Sequence, residues 1–315
     1  MAWCQLFCHL AFSLSLTTGL GGNQQLDFQR ALIALEQSYD FEGAAQLFQS
    51  LQDEHPGNNQ YTFFLGKAQF RQGRLDEAIA CFESCIAAEP GNAIYHLWAS
   101  KAYGRKVSRL NNQGAGMTEL MPWGKKVKAA VEKAVELDPN SVEAQVGYAV
   151  FLRETPGLFG GDVKKARQIL TQTIADHPDC LNAHFSLAEL YLKKDEDYDA
   201  ALREYKFVAD HLDDSVVCFE DHELSVKALL NMGFIYYKRD RDLARCVELI
   251  RQHLELKPNS QMGYLTLGEI LVQEKRWGEA REALSQAREI AEADDAGKLK
   301  KKADELLKEI RRKAG

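Results

Sequence analysis

The sequence predicts an all-α protein, a right-handed superhelical α-solenoid of about seven helical hairpins with a C-terminal capping helix. Three observations predict it. Only 7 prolines occur in 315 residues, and each would interrupt a helix. Five of those 7 form a ruled series: Pro56, Pro90, Pro139, Pro178 and Pro258 are spaced by 34, 49, 39 and 80 residues, a 34-residue period (doubled in the last interval) with excesses of 15, 5 and 12. The apolar positions recur in the same phase, as two-helix units require when each hairpin buries its face on the next.

Taken in order, the hairpins fall at 25–56, 59–90, 93–139, 142–178, 181–212, 226–258 and 261–292, and 293–315 forms a capping helix with a basic end. Each ruling proline stands just beyond a helix, as in Leu137-Asp138-Pro139-Asn140 and Leu256-Lys257-Pro258-Asn259, where it stops one helix while Asn or Ser caps the next. In the second unit Leu65-Gly66 precedes Ala78, Phe82 and Cys85. The last unit has Leu267-Gly268 before Ala280, Leu284 and Ala287, and the fifth has Leu187-Ala188 before Ala200 and Phe207. Small residues recur where the two helices of a hairpin cross closely. The excess residues of the third unit, around 108–117, read as a loop because of two Gly, two Asn and the following Pro122. Those of the fourth, 155–162, read as a turn in which Gly160 and Gly161 adopt positive φ and Asp162 caps the next helix. A third excess lies near 213–225.

These motifs resemble the tetratricopeptide repeat family, with Leu-Gly in the first helix, Ala-x3-Phe-x2-Ala in the second and Pro after it. The resemblance spans nearly all of residues 25–313 and implies a scaffold that holds a protein or peptide. The stretch Tyr95-His96-Leu97-Trp98…Lys101-Ala102-Tyr103-Gly104, the long third hairpin and the Pro156-Gly157…Gly160-Gly161-Asp162 turn are similar to a bacterial, exported subgroup of that family, which carries no known activity.

The first 22 residues differ from the rest. Trp3 to Leu20 carry no formal charge, and an apolar run from Leu6 to Leu16 is followed by Thr17, Thr18 and three glycines. This reads first as an export signal placing the protein in the periplasm or outside the cell, although a basic start and an Ala-x-Ala site are missing. A membrane anchor is the second reading and an irregular cytoplasmic start the third. Net charge is −7, but residues 298–315 carry +5, leaving about −12 for the remainder. An acidic body argues against a nucleic-acid partner, and the basic end reads as a solvated helix. A membrane would be met, if at all, through the N-terminal segment.

No enzyme, cofactor or metal signature emerges. Gly157-x2-Gly160-Gly161-Asp162-x-Lys164 lacks the Gly-Lys-Ser/Thr ending of a phosphate loop and joins two helices. Cys81 and Cys85 share a helix face, without further ligands nearby in sequence, and read as small packing residues. Cys4, Cys8, Cys180, Cys218 and Cys246 form no framework. Asp179, Cys180 and His184 at a repeat junction read as capping and packing, and Asp195-Glu196-Asp197 as a solvated turn. His55 and His177 read as helix C-terminal residues.

The first helix of each hairpin lines the concave face of such a stack. Positions 2, 5, 9 and 12 of each unit then face the groove, and the candidate contacts are Phe63, Lys67, Phe70, Leu97, Lys101, Arg105, Arg153, Phe185 and Glu189. Aromatics would anchor a peptide and charges would set its direction, although Phe63, Leu97 and Leu230 also fit inter-helix core. Lys101-x3-Arg105 matches the last element of the family's clamp for chaperone C-terminal tails, but the earlier helices do not supply the rest, so that partner is not expected. Two other readings remain: a self-assembling oligomer, and a ligand or catalytic site built from the insertions at 105–122 and 155–162, where Arg109, Trp123, Phe159 and Asp162 could gather.

Overall fold

The computed structural model describes residues 22–211, 219–294 and 296–314. The apolar N-terminal segment with Cys4 and Cys8, Cys218, and the start of the 213–225 excess lie outside the described residues. All regular structure among the described residues is helical. The chain forms two compact units: the first holds residues 22–106 and 123–151, the second 107–122, 152–211, 220–294 and 296–314.

The first unit is built from α1 (Gly22–Glu36), α2 (Phe41–Glu54), α3 (Asn59–Arg71), α4 (Leu75–Ala88), and parts of α5 (Ala93–Gln113), α6 (Met117–Leu137) and α7 (Val142–Glu154). Side chains start these helices where the first-turn amides need acceptors. Asp40 accepts from Gly43 N on α2, and Asn58 accepts from Gln60 N on α3. His55 closes α2 as its C-cap, as the sequence implied. The core is aromatic: Phe48 stacks on Phe64 at 5.4 Å, Phe28 meets both edge-on, and Phe63 sits among Phe64, Phe82, Tyr95 and Trp98. Burying each such ring contributes on the order of 1.5–3 kcal/mol.

The third hairpin corrects one expectation. Residues 108–117 are not a loop: α5 and α6 each run 21 residues, against 13 and 14 in α3 and α4, and only Gly114–Gly116 separate them. The extra residues lengthen both helices, with Gly114 taking the left-handed turn at φ 99°. Pro122 is accommodated inside α6.

The second unit continues with α8 (Val163–Asp176), α9 (Leu181–Leu190), α10 (Tyr198–Ala209), α11 (Phe219–Asp240), α12 (Leu243–Leu256), α13 (Gln261–Gln273), α14 (Trp277–Ala293) and α15 (Gly297–Ala314). Here the phase read from sequence slips by one residue. After α9 the backbone makes a π turn, Tyr191–Asp195, which inserts a residue before α10. The fully buried positions of α10 are therefore Ala201, Tyr205 and Val208, while Phe207 is half-buried and stacks on His184 at 4.0 Å. The closing amide bond records the insertion: Asp197 N donates to Tyr191 O, six residues back, where Arg74 N in the second hairpin reaches only five back, to Gln69 O. Asp242 N to Tyr236 O repeats the longer step, and Cys246, Ile250 and His253 take the buried places on α12.

The 155–162 turn is also corrected in part. Gly160 has φ 98°, but Gly161 is required for a different reason: a Cβ there would stand 1.7 Å from Thr155 O. Asp162 caps α8 by accepting from Lys165 N, and His177 is the C-cap of that helix.

Candidate protein-binding surface

In the first unit, four cations gather over two aromatic rings. Helical spacing puts Lys67 and Arg71 on one face of α3, and Lys101 and Arg105 on one face of α5. Three of the four converge on Trp98: Lys101 Nζ lies 4.6 Å from its ring centre, Lys67 Nζ 4.9 Å and the Arg71 guanidinium 5.9 Å. Arg105 lies 4.7 Å from the Phe70 ring and donates to Phe70 O at 3.1 Å. Phe70 meets Trp98 edge-on at 5.7 Å, so the two rings form one continuous floor. Each cation–ring contact contributes about 0.5–1 kcal/mol at an exposed site. Lys67 also pairs with Glu36 of α1.

The side chains singled out from sequence thus divide. Lys67 and Lys101 are half-buried and Arg105 is exposed, all on this floor, and Phe70 forms part of it. Phe63 and Leu97 pack inward, Phe63 in the aromatic core and Leu97 against Ala134 and Ala144. This is the inter-helix packing left open as an alternative for both. Trp98 stands at position 6 of its hairpin, which the 2-5-9-12 register passes over, and Arg71 stands one turn after Lys67. A tryptophan three residues before a lysine, opposite a second Lys-x3-Arg helix, is the signal that would have found them.

In the second unit, Arg153, Phe185 and Glu189 are structural neighbours rather than an open surface. Arg153 is 3% exposed; it donates through Nη1 to Ser186 O at 2.8 Å, through Nη2 to Glu189 at 2.6 Å and through Nε to Glu154 at 2.9 Å. Lys193 takes the other Glu189 oxygen at 2.6 Å. Burial alone would raise the Glu189 carboxyl, but Arg153 and Lys193, with Lys227 beyond, outweigh it and hold the group below its ordinary range. Phe185 meets Tyr205 edge-on at 5.5 Å.

The remaining candidates have local structural work. His184 Nδ1 faces Glu204 at 2.6 Å and Nε2 faces Pro178 O at 2.9 Å, so both ring nitrogens are engaged away from Cys180. His96 with Pro90 O and Gln145 with Pro139 O make the same six-residue bond, a recurrent lock at the hairpin junctions. Cys85 donates to Asn59 O and Cys81 to Gln69, and burial pushes their thiols up to about 12 and about 11. Asp195 pairs with Arg167, and Asp197 caps α10. Of the insertion residues, Trp123 packs on Tyr103 at 6.0 Å, and Phe159 and the neighbouring Leu158 are exposed.

This geometry defines a helical-hairpin repeat protein with a basic-aromatic surface. The tetratricopeptide repeat family profile matches residues 28–102 and 158–207, and those residues carry tetratricopeptide repeats. Among solved structures it is similar to a tetratricopeptide repeat protein from Parabacteroides merdae, at 17% identity over 92% of this chain and 100% of that one, with a TM-score of 0.60. It is likewise similar to the thermophilic tetratricopeptide protein TTC0263 of Thermus thermophilus, at 20% identity over 66% and 99%, with a TM-score of 0.51. The hetero-tetramer structure of Cut9-Hcn1 from the APC/C gives a TM-score of 0.67 at 15% identity, covering 93% of this chain and 52% of that one. No curated protein matches the sequence. Repeats of this family are in general protein-interaction scaffolds. No helix among the described residues is long and apolar enough to cross a membrane.

Proposed function

We propose that this chain is a non-catalytic scaffold whose first unit holds an acidic protein segment across the Trp98–Phe70 floor. The observation that carries this reading is the convergence of Lys67, Arg71 and Lys101 on one indole, with Arg105 alongside on Phe70. Long cationic side chains normally lose rotamer freedom when a ligand engages them; cations already laid on rings lose less, so a carboxylate is met by a prepared surface. Clustering four like charges also creates a local positive potential on a chain of net charge −7, which favours and steers an acidic partner. In this reading residues 1–22 are an export signal, and the scaffold works outside the cytoplasm.

Calorimetric titration of the full chain with an Asp/Glu-rich peptide and with its Asn/Gln counterpart tests the reading. The acidic peptide is expected to bind at least about tenfold more tightly, a difference of about 1.4 kcal/mol. The Lys67→Glu/Lys101→Glu variant, checked for folding by circular dichroism, should lose that preference. Equal affinity for both peptides, or a variant that binds like the parent, would discard it.

A further inference from the structure

The outward face of α15 carries more cations than the chain's own acids take up. Helical spacing sorts α15 into two sides: Leu299, Ala303, Leu306, Leu307 and Ile310 pack into the core of the second unit, with Ala303 and Ile310 fully buried. Several cations are engaged within the chain. Lys300 pairs with Glu292, Lys302 with Glu269 and Lys313 with Glu309, and Lys298 donates to Asn111. Lys301, Lys308, Arg311 and Arg312 are exposed, and among the described residues none of them has a hydrogen-bond or ion-pair partner. One exposed acid, Glu305, shares their side of the helix. Lys301, Lys308 and Arg312 stand at i, i+7 and i+11, a row about 16 Å long at 1.5 Å per residue.

We propose that this row docks α15 onto an anionic lipid surface. Among the described residues the exposed side chains of α15 are all charged; the row has no aromatic or apolar anchor of the kind a protein interface centres on, and no ring on which a nucleic-acid base could stack. A straight row of cations, with Glu305 as the one exposed acid beside it, matches a flat plane of negative headgroups, which demands no pocket and lets the row engage together. The apolar side of α15 stays in its own core, so attachment is electrostatic and superficial rather than inserted. The acidic remainder of the chain is repelled only where it comes within a screening length, about 8 Å at physiological salt, and this favours approach with α15 facing the lipid.

The test is sedimentation of the full chain with vesicles of phosphatidylcholine alone and with about 30 mol % phosphatidylserine, in about 0.15 M and about 0.5 M salt. Each cation within reach of an anionic leaflet strengthens attachment roughly fivefold. The triple variant Lys301→Gln/Lys308→Gln/Arg312→Gln should therefore bind the anionic vesicles roughly a hundredfold more weakly than the parent, and high salt should release the parent. A control with the same loss of charge elsewhere, Lys125→Gln/Lys164→Gln/Lys194→Gln, should bind like the parent. Circular dichroism confirms that both variants are folded. Equal binding to both vesicle types, equal loss in both triple variants, or no vesicle binding by a chain that is retained on duplex RNA would each overturn the proposal.

Discussion

A Cβ placed on Gly268 would stand 2.5 Å from Cγ of Leu284, and one placed on Gly66 would stand 2.8 Å from Cε1 of Phe82. The two glycines occupy equivalent places in their hairpins, and each large side chain faces its glycine from the second helix of the same hairpin. The helices can cross this closely only because the glycine lacks a side chain. Gly268→Ala forces Leu284 off its rotamer and should cost about 1–3 kcal/mol. Gly104 in α5 has open space around its Cβ position, so Gly104→Ala should instead stabilise by about 0.5–1 kcal/mol through helix propensity. Urea denaturation of the two variants beside the parent checks both signs.

The Arg153–Glu189 pair makes a second prediction. Removing Arg153 alone leaves Glu189 largely enclosed, with Lys193 as its remaining close partner, and should cost about 3–5 kcal/mol. Arg153→Met combined with Glu189→Met removes both charges and should recover most of that loss, which a double-mutant cycle measures. The pH dependence follows from the depressed carboxyl. As pH falls below the ordinary value of 4.5, the unfolded chain takes up the proton first, so the stability contributed by Glu189 is present above that value and is lost as pH falls through the lower folded-state value. Glu189→Gln should flatten the acid limb of the unfolding profile.

Period and punctuation carried most of the fold into the sequence, because a repeated hairpin repeats its stops and its close contacts: Pro139 and Pro258 mark junctions, and Gly66 and Gly268 mark crossings. Two features left no such trace. The π turn at Tyr191–Asp195 adds one residue without any Gly or Pro, and the core of α10 accordingly centres on Ala201, Tyr205 and Val208, with Ala200 buried beside them and Phe207 only half-buried. The insertion of the third hairpin contains loop-forming residues, yet α5 runs on through Asn111 and Asn112 and α6 carries Pro122 inside it. The surface was legible only in part. Lys67, Lys101 and Arg105 follow from helical phase, but that several cations share one ring depends on the rotation of α3 against α5, which places Trp98 between them and which no spacing along one helix encodes.

The cysteines give a third prediction. Burial, the largest effect, raises the Cys246 thiol to about 12, as it raises those of Cys81 and Cys85. Thiolate is the reacting species, so in a variant carrying Ser at Cys4, Cys8, Cys81, Cys180 and Cys218 the two buried thiols, Cys85 and Cys246, should label with a disulfide reagent at neutral pH only as fast as the chain opens. Adding urea below the unfolding midpoint should speed labelling. Rapid labelling of the native chain would contradict the enclosed thiols.

His253 provides the last prediction. It is 1% exposed, with Nδ1 at 2.7 Å from Val226 O and Nε2 at 2.7 Å from Ser260 Oγ. A carbonyl only accepts, so Nδ1 carries the proton and Nε2 accepts from the Ser260 hydroxyl, whose oxygen in turn accepts from Gly263 N and caps α13. The ring is neutral in this arrangement. Burial is the largest effect and lowers its pKa; the bond to Val226 and nearby Glu223 oppose the shift, while Lys257 and Lys227 add to it. Below the ordinary value of 6.5 the unfolded chain therefore binds the proton before the folded one does. Stability should be level above that value and fall as pH drops toward the lower folded-state value, by at most about 1.4 kcal/mol per pH unit for one proton. His253→Gln removes the titration: the variant is less stable at pH 7.5, yet its stability should change less than the parent's between pH 7 and 5.5, a window above the Glu189 limb. Equal pH slopes for parent and variant in urea denaturation would show that His253 does not stay neutral in the fold.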